Sequence, residues 1–352
     1  MVIVVTRFCN TDSCTYCHVH TRDFDVNAFN GFSKDDGTVE KILALAEASG
    51  DFELRFFGGE PLMRKDVVMR MVAAIDEAVD SEVGDAGFGT PTFGTDRRRD
   101  ESGIPNRDCP AIRFIVNTNL LMADSAFFDF CEKYRVKLIV SCNGDPFSHS
   151  LTRGISLDKT ALLYDKIREM LARGIEHQIN LVFQPETADR FEKNLRYVAG
   201  LGGANINLLP ASYVEGWKPE HVGMLNSGFS AIESSLASGE LSLTFENLRS
   251  SDAVHLFKSE LVVDSDGNVY PNMVVMEDFF LDKRSKVKIA SILEDSPETL
   301  KEKVAFYYGE NSAVYDAYVN KFLEKEFSGT LPEEYPVRDA FNAFLDRIAR
   351  IP

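Results

Sequence analysis

The sequence predicts an α/β protein, a partial barrel or open doubly wound sheet followed by a segment of α+β character. Three observations carry this. Short apolar or β-branched runs alternate with stretches of helical spacing across short connections, the pattern of parallel βαβ units. Six such strands can be counted between Val2 and Leu209, too few for a closed eight-stranded barrel. Beyond residue 210 the alternation stops.

The elements follow in order. Val2–Thr6 (VIVVT) is a buried strand, short, apolar and β-branched. Thr38–Ser49 has helical spacing, with Gly50 as its stop. Glu53–Phe57 is a strand that runs into Gly58-Gly59-Glu60-Pro61, and a helix continues through Val68–Val79. Strand and helix then repeat: Arg113–Asn117 and Ser125–Tyr134, Val136–Ser141 and Asp158–Arg173, Ile175–Phe183 and Arg190–Leu201. Asp158 is the expected cap of its helix, and Gly202-Gly203 ends the last one. Asn205–Leu209 closes the series. Asp80–Arg107 interrupts it with a Gly-, Asp- and Arg-rich stretch without apolar period, expected to be a long flexible insertion. In the last third, Glu220–Ala237, Pro297–Phe306, Ser312–Phe327 and Val337–Ile348 read as helices. Glu260–Val275 reads as a hairpin turning at Asp266-Gly267.

The chain has 352 residues, 44% of them hydrophobic, enough for a sizeable core. No apolar run approaches the roughly 20 residues of a membrane span. The opening Val2–Val5 is too short for a signal-peptide core, so a cytoplasmic protein without membrane partners is expected. A net charge of -17 argues against nucleic acid as a partner. The basic cluster Arg97-Arg98-Arg99 lies among acids and glycines and reads as a solvated loop.

Six cysteines in a chain this long are not a disulfide framework. Cys131 and Cys142 read as small buried hydrophobes, and Cys109 sits before Pro110 at a loop exit. Cys9, Cys14 and Cys17 differ. They fall within nine residues, directly after the first strand, where parallel α/β sheets place their ligands. Three close thiolates suit a metal centre. The spacing alone leaves open a zinc site completed by His18 or His20 and an iron–sulfur cluster with one open position.

The rest of the sheet separates these readings. Cys14-Thr15-Tyr16-Cys17 resembles the C-x-aromatic-C segment of the radical S-adenosylmethionine (SAM) superfamily. Arg55–Pro61 (RFFGGEP) resembles that family's GGEP segment after strand two, and Asn117-Thr118-Asn119 its TN element after strand three. Ser141-Cys142-Asn143-Gly144, with Arg153 shortly after, resembles its S-x-D-G…R element after strand four. Within that superfamily the chain resembles the branch that includes sulfatase maturases and peptide-modifying enzymes. It implies a partial (βα)6 barrel over residues 1–210 and a C-terminal α+β capping extension over 211–352.

The resemblance also implies the site. Cys9, Cys14 and Cys17 would ligate a 4Fe-4S cluster, leaving one iron for SAM. Tyr16 would lie beside the adenine, and Gly58 and Gly59 would let backbone approach the methionine portion. Glu60 or adjacent carbonyls would accept from its ammonium. Thr118, Asn119, Ser141 and Asn143 would offer short polar contacts, and Arg153 would fork onto the carboxylate. Three departures stand out. One residue is added between Cys9 and Cys14, so the cluster loop must bulge. Asn143 stands where an Asp is usual. Asp266–Asn272 (DGNVYPN) resembles the start of the SPASM extension, yet Asn272 takes the cysteine's place and no cysteine follows Cys142, so auxiliary clusters are not expected.

The implied function is reductive cleavage of SAM to a 5′-deoxyadenosyl radical that abstracts hydrogen from a substrate. The leading substrate is a peptide or protein side chain, with a small metabolite as runner-up because no peptide-recognition segment precedes Val2. An external electron donor of ferredoxin or flavodoxin type is implied. Lacking auxiliary clusters, the chain is expected to favour redox-neutral outcomes, radical coupling or an external acceptor. No catalytic acid or base stands out; Tyr213, Glu215, His255 and Asn272 are candidates for facing the barrel opening. A zinc-stabilised protein and a non-catalytic cluster- or SAM-binding protein are the alternatives of another class.

Overall fold

The computed structural model describes residues 1–11, 14–17, 27–84, 112–202, 205–248 and 259–351. His18, His20, Arg97-Arg98-Arg99, Cys109 and His255 lie outside them, as does the bulge expected between Cys9 and Cys14.

Six parallel strands stand side by side in chain order: β1 (Val2–Thr6), β2 (Glu53–Gly58), β3 (Arg113–Thr118), β4 (Lys137–Ser141), β5 (His177–Phe183) and β6 (Asn205–Pro210). The helices between them are α1 (Thr38–Ser49), α2 (Lys65–Gly84), α3 (Ser125–Tyr134), α4 (Pro146–Arg153), α5 (Leu157–Ala172) and α6 (Phe191–Gly200). The last third extends the same sheet at both edges. After α7 (Pro219–Ala237), β7 (Thr244–Phe245) pairs with β6 in parallel. β8 (Ser259–Val263) pairs in parallel with β1, and β9 (Asn268–Asn272) and β10 (Ala290–Ser291) add antiparallel strands outside it. The sheet is therefore unclosed, with β7 and β10 at its ends. Arg55, Asn117, Ser141, Asn180, Leu209 and Glu260, from six different strands, line one cavity, so the sheet curls around a lumen as a partial barrel does.

Alternation within the strands decides which face each residue takes. In β2, Leu54 and Phe56 join the core under the helices, while Arg55 and Phe57 turn to the lumen. In β3, Phe114 and Val116 face the helices and Asn117 the lumen. A second, smaller core closes the lumen beside β1. There Val2 and Val4 pack against Val262, Tyr270, Val274, Phe280, Val319 and Leu323. The last two belong to α9 (Ser312–Glu326), which follows α8 (Pro297–Phe306).

Several boundaries differ from expectation for identifiable reasons. α2 continues to Gly84, so the interruption expected from Asp80 begins with helix. Ser156, not Asp158, caps α5, its hydroxyl accepting from Lys159 N at 3.3 Å; Asp158 lies in the first turn. The short α4 was not foreseen; it is nucleated by Asp145, which accepts from Ser148 N, with Pro146 behind it. α10 spans Leu331–Ile348 and contains Pro336. Its buried stripe of Leu331, Val337, Phe341, Phe344 and Ile348 outweighs the backbone bond that the proline forgoes.

Candidate active site

The site is built at the C-terminal ends of β1 to β5. Val2–Thr6 is held between β2 and β8, so its exit is fixed, and Arg7 anchors the arm that follows. The Arg7 guanidinium donates to both carboxylate oxygens of Asp264 (3.2 and 2.5 Å) and to the carbonyls of Val275 (3.3 Å) and Met276 (3.2 Å). Arg284 donates to the same Asp264 carboxylate and to Asp266. Asp264 is fully buried, so two cations and two acids, the second being Asp266, lock the cysteine arm to the β8–β9 hairpin.

The glycine pair serves that arm. A Cβ on Gly59 would sit 2.5 Å from the Arg7 carbonyl oxygen and closer still to that of Phe8; one on Gly58 would strike the Thr6 carbonyl oxygen. Gly58 also takes φ 139°, open to glycine alone. The missing side chains admit the chain's own backbone, and Gly59 N and Glu60 N donate to Thr6 O (3.1 Å) and Phe8 O (2.7 Å). Both glycines also line the cavity.

Glu60 is 1% exposed. Its Oε1 accepts from Leu62 N (3.0 Å) and Thr118 Oγ1 (2.7 Å), and its Oε2 from Asn119 N (2.7 Å). Burial pushes its pKa up, against the pull of those donors. Asn119 in turn donates to Asn10 Oδ1 (2.6 Å) and Thr11 Oγ1 (3.4 Å), and Thr11 Oγ1 lies 3.2 Å from Cys9 Sγ and 3.9 Å from Cys14 Sγ. Glu60, Thr118 and Asn119 thus form one relay from β2 and β3 to the cysteines.

Arg153 ends α4. Its Nη1 lies 3.7 Å from Cys14 Sγ, its guanidinium stands 5.2 Å from the Tyr16 ring centroid, and its Nε is buried with no hydrogen-bond partner. Asn143, 1% exposed, donates to the Tyr16 hydroxyl (2.8 Å) and to Thr152 Oγ1 (2.9 Å) and accepts from Val182 N. Its backbone N–H donates to His149 Nδ1 at 3.1 Å. Burial, then the charge of Arg153, lowers the His149 pKa to about 3, so the imidazole stays neutral and accepts. Burial raises the pKa of Tyr16, keeping its hydroxyl protonated.

One cavity of about 410 Å³ collects these parts. Cys9, Cys14 and Cys17 line it, with Tyr16, Gly58, Gly59, Glu60, Thr118, Asn119, Ser141 and Arg153. Asn143 does not; its amide braces Tyr16 from behind. None of the three thiols is in a disulfide, and burial raises the pKa of Cys9. Cys131 and Cys142 are buried elsewhere, with pKa values pushed to about 12 and about 11. A second cavity of about 400 Å³ shares Tyr16, Cys17 and Glu277 with the first and is lined by Tyr213 and Glu215. Asn272 lines neither; it is buried, and its side-chain Oδ1 accepts from Val274 N at 2.9 Å to cap the turn. Tyr213 is held at φ 60° by Glu334 of α10, which accepts from its N–H at 2.7 Å. The lumen residues Arg55, Asn117, Asn180, Glu260, Met273 and Met276 were not singled out as site residues, although the alternation of ELRFFG already turns Arg55 away from Leu54 and Phe56.

A family model of the radical SAM superfamily matches residues 3–198. The chain belongs to that superfamily. It is similar to a probable GTP 3',8-cyclase of Methanothermobacter marburgensis, 29% identical over 175 residues, 50% of this chain and 49% of that protein. The chain thus spans about half the length of this curated relative. Among solved structures it resembles native anSMEcpe with bound AdoMet, at a TM-score of 0.61 and 16% identity over 85% of this chain and 79% of that one. It also resembles Streptococcus suis SuiB bound to precursor peptide SuiA, at 0.56 and 14% over 84% and 62%. These likenesses show a shared radical SAM fold.

Radical SAM enzymes use a 4Fe-4S cluster and SAM, and the residues here fit both. The three thiols line one cavity, and three thiolates suit a cluster that keeps one position open. The buried, unpartnered Nε of Arg153 offers a donor for a carboxylate.

Proposed function

We propose that this chain cleaves SAM reductively at a 4Fe-4S cluster held by Cys9, Cys14 and Cys17 and directs hydrogen abstraction at a peptide or protein side chain. The observation that carries this is the cavity joining three thiols, the Gly58–Glu60 turn, Arg153 and a lumen that sets Arg55, Asn117, Asn180 and Glu260 among apolar side chains. When bound, the two groups supply one-electron cleavage of the sulfonium and hydrogen abstraction by the resulting 5′-deoxyadenosyl radical.

The chain's own residues hold and orient. Arg7 and the Gly58–Gly59 approach fix where Cys9 starts. Thr118, Asn119 and Glu60 keep the cysteine arm in register with β2 and β3. Arg153 places a positive charge between Cys14 and Tyr16, with Nε left for the SAM carboxylate. Tyr16 and Ser141 border the space for the nucleoside. Residues 211–352 act as a cluster-free capping extension on a barrel of residues 1–210, closing the lumen through Val274, Met276 and Phe280 and excluding water from it.

The second cavity, which opens beside Tyr16 and Cys17, supports an extended substrate reaching the lumen from the side. A small metabolite is the second reading, favoured by the relative named as a GTP cyclase. An external reductant of ferredoxin or flavodoxin type and a cytoplasmic location belong to the same proposal. Among the described residues no helix is long and apolar enough to cross a membrane.

The test is anaerobic reconstitution with iron and sulfide, then incubation with SAM and dithionite. Brown colour and 5′-deoxyadenosine are expected, and Cys14→Ala abolishes both. Colour or SAM cleavage retained in Cys14→Ala refutes the assignment.

A further inference from the structure

The floor of the lumen carries unmet hydrogen-bonding capacity of a specific kind. Arg55 Nη1 faces both oxygens of Glu260 at 3.4 Å, a stretched pair, while Arg55 Nε is buried without a partner. On the neighbouring strand, Asn117 Oδ1 is also buried without a partner. Arg55 registers with Ile115, so Asn117 stands one step along the same face, a diagonal neighbour across β2 and β3. Both residues line the cavity, as do Phe57, Val182, Leu209 and Met273. An unmet buried donor and an unmet buried acceptor each carry a desolvation penalty, removed by a ligand that supplies both complements.

We infer that this floor binds an uncharged amide edge of the substrate, a carbonyl oxygen beside an N–H. The carbonyl oxygen accepts from Arg55 Nε, the N–H donates to Asn117 Oδ1, and the apolar residues cover the carbon flanks. Charge excludes the ionic alternatives. Arg55 and Glu260 already neutralise each other; a carboxylate brought to Arg55 meets Glu260, and an ammonium brought to Glu260 meets Arg55. The inference rests on the reading of the lumen as the substrate site. A carboxamide side chain of a peptide and the lactam of a small ring share this chemistry.

The experiment uses the reconstituted protein with SAM bound and follows four probes by ligand-observed NMR titration: butanamide, 2-piperidone, butanoate and butylammonium. The two amides are expected to bind at least about tenfold more tightly than either ion, one hydrogen bond's worth of discrimination. Asn117→Leu removes the acceptor at similar size. Arg55→Lys keeps the charge opposite Glu260 and removes Nε. Each variant is expected to weaken amide binding about tenfold. Tighter binding of butanamide than of 2-piperidone identifies a side-chain carboxamide; the reverse order identifies a ring lactam. The inference is overturned if either ion binds as well as the amides, if no probe binds, or if amide binding survives both substitutions. Such a failure is distinguishable from failure of the radical SAM reading, because 5′-deoxyadenosine formation by the unsubstituted protein is scored separately.

Discussion

Replacing Gly59 by Ala adds one methyl group where the chain crosses itself. The new Cβ would meet the Arg7 carbonyl oxygen at 2.5 Å and that of Phe8 more closely, whereas ordinary contacts begin at 3.4 Å. Phe8 must therefore retreat by about 1 Å, and it immediately precedes Cys9. Overpacking against backbone costs about 1–3 kcal/mol, and the bonds from Glu60 N to Phe8 O (2.7 Å) and Gly59 N to Thr6 O (3.1 Å) weaken with it, each worth about 1 kcal/mol. A loss of about 2–4 kcal/mol is expected. Urea unfolding reads it through the fluorescence of the chain's one tryptophan, Trp217, which is buried. Iron bound after anaerobic reconstitution reads the displaced Cys9 arm and is expected to fall well below the unsubstituted protein's. Unchanged iron content together with a stability change under about 0.5 kcal/mol would show that the glycine pair does not hold the arm.

Glu60→Gln replaces one of two fully used acceptors by an amide nitrogen, and a loss of about 1–3 kcal/mol in the same urea assay is expected; an unchanged midpoint would refute the relay. Asp264→Asn strips the charge that Arg7 and Arg284 share in the interior, which is expected to destabilise by about 3–5 kcal/mol. A loss below 1 kcal/mol would mean that the two cations find other partners. His149 titrates at about 3 in the folded chain against 6.5 in the ordinary state, so below pH 6.5 the unfolded chain takes up a proton that the folded one refuses. Stability should fall by about 1.4 kcal/mol per pH unit between those values, and His149→Gln should flatten the slope by that amount. Equal slopes for both proteins would rule out a neutral buried imidazole.

The order of strands and helices was legible because alternating β-branched runs and helical spacing are local properties. The grouping of Cys9, Cys14 and Cys17 was legible too, since they fall within nine residues after a buried strand, and the fold brings all three to one cavity. The short α4 was less legible, since PFSHSLTR has little apolar periodicity and depends on Asp145 to start it. The masking effect of Pro336 on α10 was similar: a local rule against proline lost to a buried stripe that runs from Leu331 to Ile348.

By itself, then, the sequence determined the superfamily and the parallel sheet, because motif and spacing do not depend on distant contacts. The tertiary structure alone decided what each polar residue does. Glu60, Thr118 and Asn119 brace the cysteine arm, Asn143 backs Tyr16, and Arg55 meets Glu260 across 205 residues of chain. Those pairings are long-range: hydrogen bonds are satisfied by whichever groups the fold brings within about 3 Å, and no local pattern encodes that choice.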